Sequence, residues 1–208
     1  MTGILIAFLV VLVVPLFVGT WRTSFLGLSL QGFLLSWIAF RHGAHLSAEL
    51  VVEVVDLVVL RAVAAPLLLR RVLTHQNAPP NNQVLAPNLF SWAMALALAL
   101  VAFLAADQLV PAEGDAQLLV AVSTAALLLG LLVLATRGGH LSQMIGALRI
   151  ENAIALFELG SVKHPSLGIR IGQVLVTAGS IAAYRWYLQH LAPDESLPAL
   201  TDSERAPT

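Results

Sequence analysis

Long apolar stretches recur along this chain, and each is about the length that a helix needs to cross a lipid bilayer. A bilayer core is about 30 Å thick and a helix rises about 1.5 Å per residue, so a spanning helix needs about 20 mostly apolar residues. Strands of a membrane barrel would be about 10 residues long and would alternate apolar with polar residues. The sequence therefore predicts an all-α integral membrane protein with a bundle of about seven transmembrane helices. The predicted spans are Gly3–Thr20, Ser24–Phe40, Leu46–Val72, Leu89–Val110, Ala116–Thr136, Leu141–Gly160 and Leu167–Leu188.

Composition excludes several other classes of protein. Of the 208 residues 58% are hydrophobic and 11% are charged, against roughly a quarter charged in soluble domains. The net charge is -1 and the basic residues are scattered, so we expect no nucleic-acid partner. The chain has no cysteine, its histidines lie in loops or at helix ends, and no hydrolase or P-loop pattern occurs. We expect the lipid bilayer as its surroundings, no cofactor, no metal and no active site of its own.

The ends of the chain and its loops predict how it is organised across the membrane. Residues 1–191 form the predicted transmembrane domain, and residues 192–208 form a polar tail that cannot build a core and is expected to be disordered. The first stretch lacks a positively charged start, so we interpret it as a helix of the mature protein. Short loops on one side carry more Lys and Arg than those on the other, which predicts an outside N-terminus and a cytoplasmic C-terminus. The richer side holds Arg22, Arg70, Arg71, Arg137 and Arg185.

The third span carries charged residues where charges are costly. Glu49, Glu53 and Asp56 are four and three residues apart, which places them on one face of an α-helix. Since like charges repel, at least one is expected to hold a proton or to have a basic partner on another helix. Arg61 lies five residues after Asp56, about 140° around an α-helix, so we expect no pair between these two. Pro66 then removes a backbone hydrogen bond and is expected to bend the helix near Arg61.

The sixth span places a carboxylate near the middle of the membrane. Glu151 lies about 15 Å from the start of this span. Glu158 follows seven residues later on the same helical face, so the two acids form a line along the helix. Arg149 points to a different face, and the acids of the third span are its expected partners. A buried carboxylate with a movable proton and a nearby cation is what a proton relay requires. The alternative is a set of structural ion pairs that orient the helices.

The last span begins with a motif found in membrane helix packing. Gly168 and Gly172 form a GxxxG pattern. Such a pattern lets two backbones approach closely because glycine has no side chain. We expect this part of the span to pack closely on another helix.

One segment of the sixth span resembles a known family. Gln143-Met-Ile-Gly-Ala-Leu-Arg-Ile-Glu151-Asn152 resembles the Q-x-x-G-x-x-x-x-E-N segment of the hydrogenase-4 component E family, small membrane subunits of formate-hydrogenlyase-type nickel–iron hydrogenases. Trp21-Arg22 followed by Gln31, and Arg61 ahead of Pro66, are similar to further positions of that family. The last three spans are similar in turn to the K-type subunit of respiratory complex I.

The resemblance implies a place in a large assembly. It implies a non-catalytic subunit between antiporter-like membrane subunits and a hydrophilic redox module, in the bacterial inner (plasma) membrane, with carboxylates that extend a row of protonatable groups. Arg61 stands where the family has Lys, and because arginine keeps its proton it is expected to bias neighbouring acids. The predicted relay residues are Glu151, Glu53, Asp56, Glu158, Arg149 and Arg61, with polar support from Gln143, Asn152 and Gln31.

Two other classes of function stay open. A stand-alone ion-coupled secondary transporter would be expected to show repeated halves and paired Gly or Pro breaks, and we find neither in the sequence. A purely structural membrane scaffold would use the buried charges only to fix how the helices pack.

Overall fold

The computed structural model describes residues 1–18, 21–42, 47–75, 89–110, 114–136, 140–160 and 166–190. Over these residues the chain forms seven helices and no strand. The predicted polar tail at 192–208 lies outside the described residues. Six helices are regular: α1 Thr2–Val18, α2 Trp21–His42, α4 Leu89–Leu109, α5 Asp115–Thr136, α6 His140–Leu159 and α7 Leu167–His190. The remaining helix, α3, has three consecutive segments, Ala48–Val55, Asp56–Ala64 and Ala65–His75.

Four of these helices are long and apolar enough to span a membrane. The spans are Arg22–Arg41 in α2, Leu89–Leu109 in α4, Asp115–Thr136 in α5 and Leu167–Tyr187 in α7. A shorter apolar stretch, Thr2–Val14, lies in α1. Charged residues interrupt the apolar run in α3 and α6, the two helices that carry the predicted relay residues. The structure is thus that of a helical membrane protein, while the total of seven spans and the orientation remain predictions.

Helices α2, α5 and α6 form the centre of the bundle. Helix α5 packs between α4 and α6, α2 contacts α1, α3 and α6, and α1 also contacts α5. Helix α7 lies at the edge and packs on α3. The core is built from apolar side chains of these interfaces, among them Phe8, Leu35, Leu129 and Leu156. Because α7 packs on α3, a gap is left between α7 and α6.

The middle segment of α3 is a π-helix. It spans Asp56–Ala64, and the backbone N–H of Ala65 donates to the carbonyl of Leu60, five residues back. Pro66 follows directly and has no N–H to continue the α-helical pattern. In a π-helix the hydrogen bonds join residues five apart, so side chains at that spacing lie on one face. Such segments are rare and occur frequently at functional sites.

Candidate functional site

A charged cleft opens between α3, α6 and α7. Its volume is about 430 Å³, which is large enough for several water molecules. Five of the six predicted relay residues line it, so the structure brings together what the sequence predicted from separate spans. These are Glu53, Asp56, Arg61, Glu151 and Glu158. Arg170, Gln173 and Thr177 of α7 complete its polar lining.

Arg61 connects four helices across this cleft. Its Nε donates to Asp56 Oδ2 at 2.9 Å, and its Nη2 donates to Thr177 Oγ1 on α7 at 3.1 Å. Its Nη1 donates to Asn152 Oδ1 on α6 at 3.5 Å. The amide of Asn152 in turn donates from Nδ2 to Gln31 Oε1 on α2 at 3.2 Å. The predicted supporting residues Asn152 and Gln31 therefore belong to the same hydrogen-bond network as the relay residues.

The pair between Arg61 and Asp56 corrects the sequence analysis. We expected these side chains to point about 140° apart, as residues five apart do in an α-helix. The prediction is wrong because the segment is a π-helix, in which residues five apart share a face. The two side chains form an ion pair at 2.9 Å, and both are almost completely buried.

A second set of polar contacts lies nearer the start of α7. Arg170 Nη1 forms an ion pair with Glu53 Oε1 at 2.5 Å, which gives one of the predicted acids a basic partner on another helix. Gln173 Nε2 donates to Glu158 Oε1 at 2.9 Å. From the sequence we assigned no role to Arg170, Gln173 or Thr177. Their spacing of three and four residues places them on one helical face, and that polar stripe in an apolar span was the available signal.

The cleft has two layers of polar groups at different depths. Glu151 is the twelfth of the 20 residues of α6, close to its middle. Arg61 contacts both Asp56 and Thr177, and it also contacts Asn152, the residue after Glu151 on α6, so these groups form one layer with Glu151. Glu158 lies seven residues further, about 10 Å along the helix, beside the contacts of Arg170. The two layers together form a line of carboxylates that runs from mid-helix towards one end.

Two carboxylate oxygens in the cleft lack a protein partner. Asp56 Oδ1 and Glu151 Oε2 are buried and accept no hydrogen bond from any described residue. Both side chains line the cleft. Within the described ranges no cation lies within 4 Å of the Glu151 carboxylate, and no group of three or more metal-binding side chains occurs. The described residues thus leave two buried acceptors unoccupied in side chains that border the cleft.

Arg149 does not join this cleft. It is 1% exposed, and none of its three guanidinium nitrogens has a hydrogen-bond partner in the part of the chain that the structure describes. Our expectation that it pairs with acids of the third span is wrong, because Arg61 and Arg170 pair with Asp56 and Glu53. Gln143, also predicted to support the relay, does not line the cleft either. It lies eight residues before Glu151 on α6.

The GxxxG motif of α7 also differs from expectation. A Cβ atom at Gly168 or at Gly172 would meet no atom of the described residues within 4 Å. The prediction of close packing at this motif is therefore wrong within the described chain. The reason is that α7 packs on α3 through other residues and leaves this face open.

Comparisons with known proteins add no relative. No protein-family model matches the sequence. Searches of curated proteins and of solved structures also return no match. The candidate site is therefore defined by the chain's own residues, and the resemblance to hydrogenase-4 component E remains a prediction from its motif.

Proposed function

We propose that this protein is a multi-pass subunit of a complex-I-like membrane assembly, and that its cleft moves protons or cations along a line of carboxylates. One observation carries the proposal: carboxylates from two different helices line one cleft that is large enough to hold water. Glu151 and Asp56 each keep a buried oxygen without a protein partner there. In a purely structural ion-pair network, these oxygens would be expected to accept hydrogen bonds from the protein. A relay instead needs carboxylate oxygens that can still accept a proton.

The chemistry of the cleft gives each residue a role. Glu151 has no ion pair within the described chain, so adding or removing its proton breaks no salt bridge between described residues. Arg61 keeps its proton, balances Asp56 and holds a fixed positive charge beside the path. Glu158, about 10 Å further along α6, is the next carboxylate on the line. Water in the cleft bridges these carboxylates, and displacement of a nearby charge shifts the balance between the protonated and ionised forms.

The resemblance of the Gln143–Asn152 segment supports the choice of assembly. It favours antiporter-like membrane subunits and a hydrophilic redox module as partners, in the bacterial inner membrane. With seven spans, the count of Lys and Arg in short loops supports an N-terminus outside. Ion movement would then be coupled to a redox reaction that partner subunits perform.

A charge-neutral substitution tests this function. We expect Glu151→Gln to abolish coupled proton movement and to leave the assembly intact, because glutamine fits the same space but has no ionisable group. Glu49→Gln is the matched control, since Glu49 lies on α3 in its first turn and does not line the cleft. The tagged chain is first purified in mild detergent, and mass spectrometry of the bound proteins identifies the redox module and its substrate. Proton uptake into inverted membrane vesicles is then measured with that substrate.

The outcomes separate three functions. Unchanged proton uptake in Glu151→Gln would contradict the relay. Recovery of the chain alone, as a stable monomer or homo-oligomer, would instead favour a stand-alone transporter with Glu151 as its ion site.

A structural scaffold is the second candidate, because Arg61 ties together α2, α3, α6 and α7 through Asp56, Thr177 and Asn152. In a scaffold, loss of a cleft carboxylate should impair assembly before it impairs ion movement. A native gel of the Glu151→Gln membranes therefore decides between the scaffold and the relay.

A further inference from the structure

The charges of the cleft do not balance. Four carboxylates and two arginines line it. Both arginines are engaged, Arg61 with Asp56 and Arg170 with Glu53. Glu151 forms no ion pair with any described residue, although it lies at the middle of α6. An ionised carboxylate at this depth is costly unless a cation or water accompanies it.

The mouth of the cleft is apolar and exposed. Ile154 of α6 is 49% exposed, and Ile169 and Val176 of α7 are 56% and 70% exposed. All three side chains line the cleft. The GxxxG face of α7 adjoins them, since Gly172 is also part of the lining and has no neighbour within 4 Å of a built Cβ. This surface therefore combines an apolar rim, a backbone accessible to another helix and an unpaired negative charge behind it.

The charge of Glu151 and its depth in the membrane exclude several possible occupants of the cleft. A lipid headgroup lies at the membrane interface, roughly 15 Å from the middle of a spanning helix, so its amine does not reach Glu151. A bound metal ion needs more ligands than the described residues gather. Over the described ranges a second copy of this chain also lacks the required charge, because its exposed arginines there lie towards helix ends. These are Arg22, Arg41, Arg70, Arg71 and Arg185.

We propose that the cleft receives a transmembrane helix of a different subunit, with a Lys or Arg near the middle of that helix paired with Glu151. The proposal rests on the proposed function, which makes this chain one subunit of an assembly. A basic residue in the middle of a span needs a buried partner of opposite charge, and Glu151 supplies one. The open glycines of α7 allow the partner backbone to approach closely.

A model helix tests the charge requirement directly. The probe is a synthetic Leu/Ala helix of about 23 residues with one Lys at its centre, and the matched peptide has norleucine there. Because the chain has no cysteine, Ser166→Cys at the exposed start of α7 provides a single site for a fluorophore. Energy transfer between the full-length chain and each peptide is measured in phosphatidylcholine vesicles. We expect the Lys peptide to bind at least about tenfold more tightly than the norleucine peptide.

Substitutions assign that preference to Glu151. Glu151→Gln should bring the two peptides to equal affinity, and Glu49→Gln should retain the preference. Equal binding of both peptides to the unsubstituted chain would overturn the proposal. A Lys preference that persists in Glu151→Gln would overturn it as well.

Crosslinking in native membranes identifies the actual occupant. A photoreactive amino acid at Val176 should crosslink to a transmembrane peptide that contains Lys or Arg. The control is the same amino acid at Leu100, which lies on α4 outside the cleft and is 61% exposed. Exchange of the charges, with Glu151→Lys here and an acid in the partner, should restore crosslinking that either change alone removes. The proposal would be contradicted if the photoreactive amino acid at position 176 crosslinked only to lipid, to a second copy of this chain or to a helix that lacks a basic residue.

The two proposals fail separately. If proton uptake survives Glu151→Gln but the Lys preference is lost, docking stands and the relay fails. If both peptides bind equally while Glu151→Gln abolishes proton uptake, the relay stands and docking fails.

Discussion

Helix α6 has two faces that interact with their neighbours in opposite ways. Towards α5 it packs without space for a side chain at Gly146, where a Cβ atom would lie 3.1 Å from the backbone N of Leu134 and 3.2 Å from the carbonyl O of Gly130. Towards α7 it borders the cleft of about 430 Å³ with Glu151 and Glu158. One helix thus forms both a close backbone contact with α5 and one wall of the open charged site.

The difference shows how the bundle combines rigidity with an open site. Lipid tails are as apolar as the helices, so tight packing of small residues is what holds membrane helices together. The contact between α5 and α6 provides such packing through Gly130 and Gly146. The cleft side is held by directional contacts from Arg61 and Arg170 instead. Close packing on one face therefore lets the other face keep space for water and protons.

Removal of the Arg61 guanidinium group from the cleft should have the largest effect on stability. Arg61→Met leaves the nearly buried Asp56 without its cation and removes the contacts to Thr177 and Asn152. Loss of one partner of a buried ion pair costs roughly 3–5 kcal/mol, so we expect a decrease of that order in the free energy of unfolding. Unfolding in mixed detergent micelles on titration with dodecyl sulfate measures it. Arg61→Lys, which retains the charge but not the forked geometry, should lose less, and an equal loss in both variants would contradict this explanation.

A larger side chain at the contact between α6 and α5 should have the next largest effect on stability. Gly146→Val adds atoms next to the backbone of α5, and overpacking of this kind costs about 1–3 kcal/mol. Gly179→Val is the control, because a Cβ at Gly179 meets no described atom within 4 Å. The same unfolding titration should show a loss for Gly146→Val and no loss for Gly179→Val. Similar losses would mean that valine disturbs these helices for a reason other than contact with α5.

Most of the fold could be predicted from the sequence. The seven predicted apolar stretches overlap the seven helices because length and hydropathy are local properties of the chain. The predicted relay residues Glu53, Asp56 and Glu151 line one cleft. This could be expected because charged residues in membrane spans face the bundle interior, a partner charge or a water-filled cavity.

Partners that depend on tertiary structure could not be predicted in the same way. The pair of Asp56 with Arg61 requires π-helical geometry, which no spacing rule for α-helices contains. Arg170 could be found as a polar residue on one face of α7, but its choice of Glu53 depends on how α7 packs on α3. The GxxxG pattern of α7 predicts only that close packing is possible, and within the described chain no helix uses it.

Removing an unpaired buried charge should have a smaller effect of opposite sign. Arg149 is 1% exposed and its guanidinium has no partner among the described residues. Replacement of buried charged groups by apolar ones of similar volume is often neutral or stabilising by about 1–4 kcal/mol, and we expect Arg149→Met to stabilise the protein at the lower end of that range. The unfolding titration should therefore shift in the opposite direction from that of Arg61→Met. A loss as large as that of Arg61→Met would show that Arg149 has a partner in the assembled protein.

The smallest expected effect on stability comes from an exposed contact between α1 and the start of α5. Thr2 Oγ1 of α1 donates to Asp115 Oδ1 at the start of α5 at 2.8 Å. A hydrogen bond from a hydroxyl group to a carboxylate is stronger when the carboxylate is ionised. This bond therefore stabilises the folded state while Asp115 is ionised, and most of its contribution is lost once acid protonates the carboxylate.

We therefore expect Thr2→Val to lower the midpoint of thermal unfolding slightly at neutral pH and to make no difference once Asp115 is protonated. Because the carboxylate is exposed, salt should weaken the effect, in contrast to the effect of Arg61→Met in the buried cleft. Thr124→Val, in the interior of the same helix α5, is a control for the loss of a hydroxyl alone, and its effect should not depend on acidic pH. A difference between Thr2→Val and the unsubstituted protein that persists after acidification would show that Thr2 contributes through packing instead of through Asp115.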